Sequence, residues 1–354
     1  MSRSRLATDD TPALSVIIPA IDESVALPRL LEQLQRQQGI EMEIILADGG
    51  SRDSTRDIAR ALDVQVVESP PGRGLQMNRA AAACAGEWLL FLHADSGLTH
   101  DLQLAQALEA LQARAQVTGG HRTAGHFRLR FRRQRSGNDL AYRYYEEKSA
   151  LNRPECTNGD QGFLLPRRFF DELDGFDESL WFLEDQRLAE TIRRRGEWVT
   201  LPGEIATSAR RFEREGLLRR MILSALIMNF HAIGLDAFFQ RAGSAYRNQA
   251  ETGRLLMSPL FRLIDDLNRE VGRPERWRRW LATGHYVASH AWQPLFWLDV
   301  ALQPLLGRHR PFLWVHDHLL RPVIGLPPFD YLMAGLTWGW FRVTGLTYRW
   351  IEKQ

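Results

Sequence analysis

The chain has 354 residues, longer than a usual single domain, so one large catalytic domain with a smaller appended region is expected. Basic and acidic residues nearly balance, 45 against 43 for a net charge of +2, which excludes a global pull toward nucleic acid. Two cysteines, Cys84 and Cys156, make neither a disulfide framework nor a metal ligand set, and suit a reducing, cytoplasmic setting.

Residues 1–13 carry arginines and acids but no apolar stretch of the signal-peptide kind, and read as a frayed tail. From Leu14 to Arg114 strand-like runs alternate with helical patterns. The strands are Leu14 to Pro19, Glu43 to Asp48, Val64 to Glu68 and Trp88 to His93. The helices lie near Ala26 to Gln37, Ser54 to Leu62, Gly74 to Ala85 and Thr99 to Arg114. Such alternation predicts an α/β domain whose mostly parallel sheet is covered by helices on both faces. Gly119 to Arg135 is basic and irregular, either loop or strand. Asp139 to Lys148 reads as a helix, Gly162 to Pro166 as a short strand, and Arg167 to Leu173 and Glu184 to Arg195 as helices. Beyond Gly216 the pattern is helical, aromatic and interrupted by proline. The expected organisation is therefore a catalytic domain over 14–215 and a helical region over 216–354.

Ligands of such sheets bind beyond the carboxyl ends of the strands, and polar residues gather there. Asp22 and Glu23 follow the first strand, Asp48 ends the second, and His93 and Asp95 end the fourth. Gly49 and Gly50 after Asp48 allow close approach of a ligand, and Asp53 or Ser54 is placed to cap the next helix. A strand ending in an acid suits a magnesium or manganese ion, which takes few protein ligands when a diphosphate supplies the rest. Glu184 shares a helix face with Leu188 and Ile192, while Asp185 points about 100° away. Arg210 and Arg211, beside Phe212, carry the planar cations that grip a diphosphate.

Seven segments in order, SVIIPAIDE, LADGGSRDST, GRGLQMNRA, LLFLHADS, NGDQGFLLPRRFFDELDGFDE, FLEDQRLAETIRRRG and SARRFEREG, resemble family 2 glycosyltransferases of the GT-A fold. More narrowly they are similar to a bacterial branch associated with radical-SAM and selenoprotein-type domains. The resemblance runs from about Leu14 to Gly216. It implies a Rossmann-like nucleotide-sugar domain in which Asp48 meets the base or ribose and Asp95 is the metal acid of a DxD-type motif. His93 stands where that motif has its first acid, so a metal role for His93 is the weaker assignment. Asp185 would be the catalytic base and Glu184 its support. Glu23, Arg73, Arg210 and Arg211 join the nucleotide-binding set, and Asp160 and Gln161 line the same cleft. The activity implied is inverting transfer of a sugar from a nucleoside diphosphate, UDP above all, with Mg2+ or Mn2+ as cofactor and an unidentified acceptor.

A dinucleotide enzyme is excluded because the turn Pro19 to Glu23 lacks the glycines of that fingerprint. The alternatives are a sugar nucleotidyltransferase, for which the basic, glycine-rich triphosphate loop is missing, and an inactive scaffold for envelope glycan assembly. The C-terminal region holds Trp292, Trp297, Trp314, Trp338, Trp340 and Trp350 among arginines, without the ~20 apolar residues of a spanning helix. Peripheral contact with the inner face of the membrane, through rings and arginines, is the expectation set against an ordinary helical core.

Overall fold

A computed structural model describes residues 12–180, 182–247 and 253–353. Trp181 and nearly all of the expected N-terminal tail lie outside the described residues. Those described fall into two compact units. The first runs to Arg132 and resumes over Ala141–Ser208; the second comprises Arg133–Leu140 and everything from Ala209 onward.

The first unit begins with β1 (Leu14–Ala20), α1 (Leu27–Gln35), β2 (Met42–Asp48), α2 (Thr55–Ala61), β3 (Gln65–Glu68), α3 (Arg73–Ala83), β4 (Trp88–Phe91) and α4 (Gln103–Thr118). There follow β5 (Thr123–Arg132), α5 (Asp139–Ser149), β6 (Phe163–Pro166), α6 (Arg167–Glu172), α7 (Glu184–Arg195) and β7 (Glu197–Ser208). The basic stretch after Gly119 is thus a strand, and β7, which has no counterpart in the predicted elements, lies beside it in parallel. The seven strands form one sheet in the order β3-β2-β1-β4-β6-β5-β7, parallel except for β6, which runs against both β4 and β5. This is the mostly parallel, helix-covered sheet that the alternation predicts.

Alternation along the strands builds two cores. Val16, Ile18, Leu46 and Leu90 face α1 and α4 through Leu30, Leu34, Leu104 and Leu108. Ile17, Ile45, Leu89 and Phe91 face the other way, onto Met77 of α3, Phe169 and Phe170 of α6, and Leu188 and Ile192 of α7. Successive side chains of a strand point to opposite faces, so a strand covered on both sides is apolar throughout, as Val16 to Ile18 is. Each such side chain contributes about 1.5–3 kcal/mol of burial.

The second unit contains α8 (Arg210–Glu215), α9 (Leu217–Ala232), α10 (Asp236–Arg247), α11 (Ser258–Arg269), α12 (Arg273–Ser289) and α13 (Trp292–Ala301). Short helices α14 (Gln303–Leu306), α15 (Pro311–Val315) and α16 (Arg321–Ile324) lead to the long α17 (Pro327–Ile351). Its core joins Leu226 and Phe230 to Phe238, Phe261, Ile264, Phe341 and Tyr348. Glu352 ties three segments together, accepting from the amides of Met257 and Ser258 at 3.0 and 2.8 Å and pairing with Arg219. The larger part of the second unit begins at Ala209 and so includes Arg210 and Arg211.

Candidate active site

The loops after β1 and β2 are stitched to each other by acids. Asp22, in a left-handed turn conformation that aspartate tolerates, accepts from the amide of Arg52 at 2.7 Å, while its own amide donates to Ser51 Oγ at 3.0 Å. Hydrogen bonds from Ser24 and Thr55 hold the Asp53 carboxyl well below its ordinary range. The amide of Glu23 donates to Thr55 Oγ1 at 2.8 Å. Asp48 is fully buried, and its carboxylate accepts from the amides of Gly50 and Ser51 at 2.9 and 3.1 Å. In this arrangement it shapes the turn.

Gln76 of α3, a residue the sequence reading passes over, is buried under these loops and donates to the carbonyls of Ala20 and Ala47 at 3.1 and 2.7 Å. It caps the ends of β1 and β2 together. A Cβ at Gly49 would lie 2.7 Å from Ile21 and 2.8 Å from Gln76, so glycine is required at that position.

The reversal of β6 assembles the acidic part of the site. Phe163 at the start of β6 pairs with Phe91 at the end of β4, which brings the turn just before β6 to the same sheet edge as the loop carrying Asp95. That turn contains Asp160 and Gln161. Burial and the carboxylates of Asp185 and Asp95 push Asp160 up from 3.8 to about 7, with Arg73 opposing. Part of Asp160 meets solvent, yet its Oδ1 is sealed and has no hydrogen-bond partner among the described residues. Gln161 is turned inward instead of lining the cleft. It is fully buried, donates to the carbonyl of Ser149 at 2.8 Å and accepts from the amide of Asn158 at 2.6 Å. Its amide nitrogen also lies 3.3 Å from His126 Nδ1, so in this structure the side chain ties the turn to the interior.

Helix α7 delivers the other acids at its N-terminus, where the helix dipole favours negative charge. It is entered through Leu183 at φ 66°, a conformation rare for a branched side chain and a point of backbone strain beside the acids. Glu184 is buried with Leu188 and Ile192, on the face their spacing predicts. Burial raises its carboxyl; Arg73, with Nη1 at 3.1 Å from Oε1, opposes the rise, and Asp185 adds to it. The pair is ionic by distance, and its N–H direction does not make a hydrogen bond. Asp185 Oδ2 accepts from the amide of Gly159 at 2.7 Å, and a Cβ there would meet that oxygen at 2.9 Å. Glycine lets the Asp160 turn and the head of α7 touch.

Arg132, at the end of β5, is a second cation the sequence reading does not pick out. It donates to the backbone carbonyl of Asp95, and its half-buried guanidinium lies near the Asp95 carboxylate. His93 accepts from the amide of Ser96 through its carbonyl at 3.0 Å, closing the turn that presents Asp95. Among the described residues no three histidine, cysteine or acidic side chains converge tightly enough to hold a metal ion unaided.

A mostly parallel sheet with carboxylates and arginines at the switch point of its strand order is the frame of a ligand-binding α/β domain. Residues 15–174 match the model described as Glycosyl transferase family 2, and that segment is a family 2 glycosyltransferase domain. A PGL/p-HBAD biosynthesis glycosyltransferase of Mycobacterium tuberculosis is 36% identical over 94 residues, 25% of this chain and 37% of that protein. A 4,4'-diaponeurosporenoate glycosyltransferase of Staphylococcus haemolyticus is 31% identical over 119 residues, 31% of each chain. The aligned parts thus span about a third of these relatives' length. Among solved structures, residues 1–349 of S. aureus TarS superpose with a TM-score of 0.45 at 15% identity, covering 86% of this chain and 91% of that one. The matches reach the family and not the narrower bacterial branch.

Proposed function

We propose that the first unit transfers a sugar from a nucleoside diphosphate, UDP by the family resemblance, to an acceptor hydroxyl with inversion at the anomeric carbon. The observation that carries this reading is the group of Asp95, Asp160 and Asp185, with a sealed, unpartnered oxygen on Asp160 and a carboxyl raised first by burial and further by the other two acids. Acids crowded until one holds its proton are a site short of positive charge. A divalent cation that takes one or two carboxylates and leaves its other positions to phosphate oxygens fits that shortage. Asp95 and Asp160 would hold it, and when bound it would stabilise the charge of the departing diphosphate.

The protein's own groups supply the rest. Arg73 and Arg132 put positive charge beside the acids within the first unit and would face the diphosphate, a role expected of Arg210 and Arg211. Asp185, held by Gly159 in a fixed orientation, would accept the proton of the attacking hydroxyl. Buried Glu184 would keep Arg73 in place and add negative charge near Asp185. With a single base and a direct attack, the configuration at the sugar carbon inverts. Asp48 would serve the nucleotide indirectly, by shaping the loop under the base.

Thermal unfolding with UDP, with and without Mn2+, tests the reading, since a ligand stabilises the state it binds. The wild-type protein gains stability from UDP only with Mn2+, and Asp95→Asn loses that gain while unfolding at nearly the same temperature without ligand. Metal-dependent stabilisation that survives in Asp95→Asn would remove Asp95 from the metal site.

For the second unit we propose attachment to the surface of an anionic membrane. At 100° per residue, Ala334, Phe341, Gly345 and Tyr348 lie on the buried side of α17, and Leu332, Leu336, Val343, Leu346 and Trp350 form an exposed stripe opposite. Exposed Leu305, Trp314, Leu319 and Val323 add apolar surface in the helices before it. Such a surface is larger than isolated exposed side chains require. No helix among the described residues is long and apolar enough to cross a membrane, so contact would be at the interface. Co-sedimentation with anionic liposomes at low salt is expected and should weaken when Leu336, Val343 and Leu346 become glutamine together; full recovery in the supernatant for the wild-type chain refutes attachment.

A further inference from the structure

The second unit contains a cavity that the transfer chemistry does not use. It lies among α9, α11, α12 and α17, measures about 120 Å³, and is walled by Phe230, Trp280, Trp340 and Phe341 with Ile264. Its polar lining comprises Asn229 and Thr283, which retain 7% and 6% of their accessible surface, together with Asn268, Arg279, Tyr286 and Thr337. Asn229 Nδ2 donates to Thr283 Oγ1 at 3.2 Å, which uses one of the two N–H donors of the amide. Asn229 Oδ1 is sealed from solvent and has no hydrogen-bond partner among the described residues. A buried acceptor without a donor is costly, and native proteins rarely leave one so.

We propose that this cavity is a binding site for a small apolar molecule carrying a neutral hydroxyl, which donates to Asn229 Oδ1 while its hydrocarbon body fills the aromatic walls. Size sets the first limit, because a dry apolar cavity of roughly 150 Å³ accepts a benzene ring. Charge sets the second. The lining offers no carboxylate for an ammonium group, its one cation, Arg279, already pairs with Glu275 at 3.5 Å, and burying an unpaired ion costs far more than burying a hydroxyl. The unpartnered acceptor sets the third, since it calls for one donor on the ligand. The ligand class is therefore a phenol or an alcohol of about one ring, or the hydroxylated end of a longer hydrocarbon.

Isothermal titration calorimetry of the full chain with p-cresol and toluene, in the absence of nucleotide, tests the site. Wild-type protein binds p-cresol at millimolar concentrations at least as tightly as toluene. Asn229→Leu leaves toluene binding in place and weakens p-cresol about tenfold or more, because a buried hydroxyl then lacks its acceptor. Thr337→Trp, which fills the cavity from α17, abolishes binding of both. The proposal is overturned if neither probe binds the wild-type chain, or if p-cresol binds equally well to wild type, Asn229→Leu and Thr337→Trp. With no nucleotide in the cell, failure here leaves the transferase reading untouched.

Discussion

Replacing Asp160 by asparagine separates the demands of folding from those of function. Raising a carboxyl from 3.8 to about 7 at about 1.4 kcal/mol per pKa unit sets a ceiling of about 4 kcal/mol on the cost to the folded state. Repulsion shared with Asp95 and Asp185, and the part of Asp160 that meets solvent, bring the expected cost to about 2 kcal/mol. Its sign follows from proton counting. Between 3.8 and about 7 the folded protein keeps a proton that the unfolded chain has lost, so stability falls as pH rises through that window. The cost is absent below the window and complete above it. Asparagine has the same shape and no proton to lose, so Asp160→Asn matches wild type at pH 4 and is more stable by about 2 kcal/mol at pH 8, or about 4–8 °C in Tm. Buried His126, pushed down to about 4, costs stability as pH falls toward that value, but equally in both proteins. Differential scanning calorimetry of the pair across pH 4 to 8 measures the difference. A gain that does not vary with pH, or a variant less stable at pH 8, refutes the electrostatic account of the cluster. The same variant should lose Mn2+-dependent stabilisation by UDP, so the acid that burdens the fold is one the ligand requires.

Asp185→Asn should keep nucleotide affinity while transfer falls by roughly two to four orders of magnitude, the usual worth of a positioned base; a fall below about tenfold in turnover assigns the base elsewhere. Gln76→Leu leaves the carbonyls of Ala20 and Ala47 without their buried donor and should cost about 2–4 kcal/mol in urea unfolding, with weaker UDP binding because the loops after β1 and β2 loosen. A loss under about 0.5 kcal/mol would show that those carbonyls find other partners.

What the sequence determines about this protein is set by short-range pattern. Apolar runs such as Val16 to Ile18 and Leu89 to Phe91, each followed by a helical period, establish the covered, mostly parallel sheet, because local periodicity decides which faces must be buried. For the same reason Glu184 is legible as buried from its spacing to Leu188 and Ile192. β5 alternates apolar and basic residues strictly from Phe127 to Arg132, a strand period hidden only by its basic composition, whereas β7 is interrupted by Pro202 and Gly203. The site's decisive pairings join residues far apart in the chain, and local pattern carries no information about them. Only the tertiary structure shows that β6 turns against its neighbours and sets Asp160 beside Asp95 and Asp185. It alone turns Gln161 inward onto backbone carbonyls, brings Arg132 to Asp95, and assigns Arg210 and Arg211 to the second unit. A strand's direction and a side chain's final partner follow from how whole layers pack, because a buried polar group takes whichever partner the assembled fold leaves within reach.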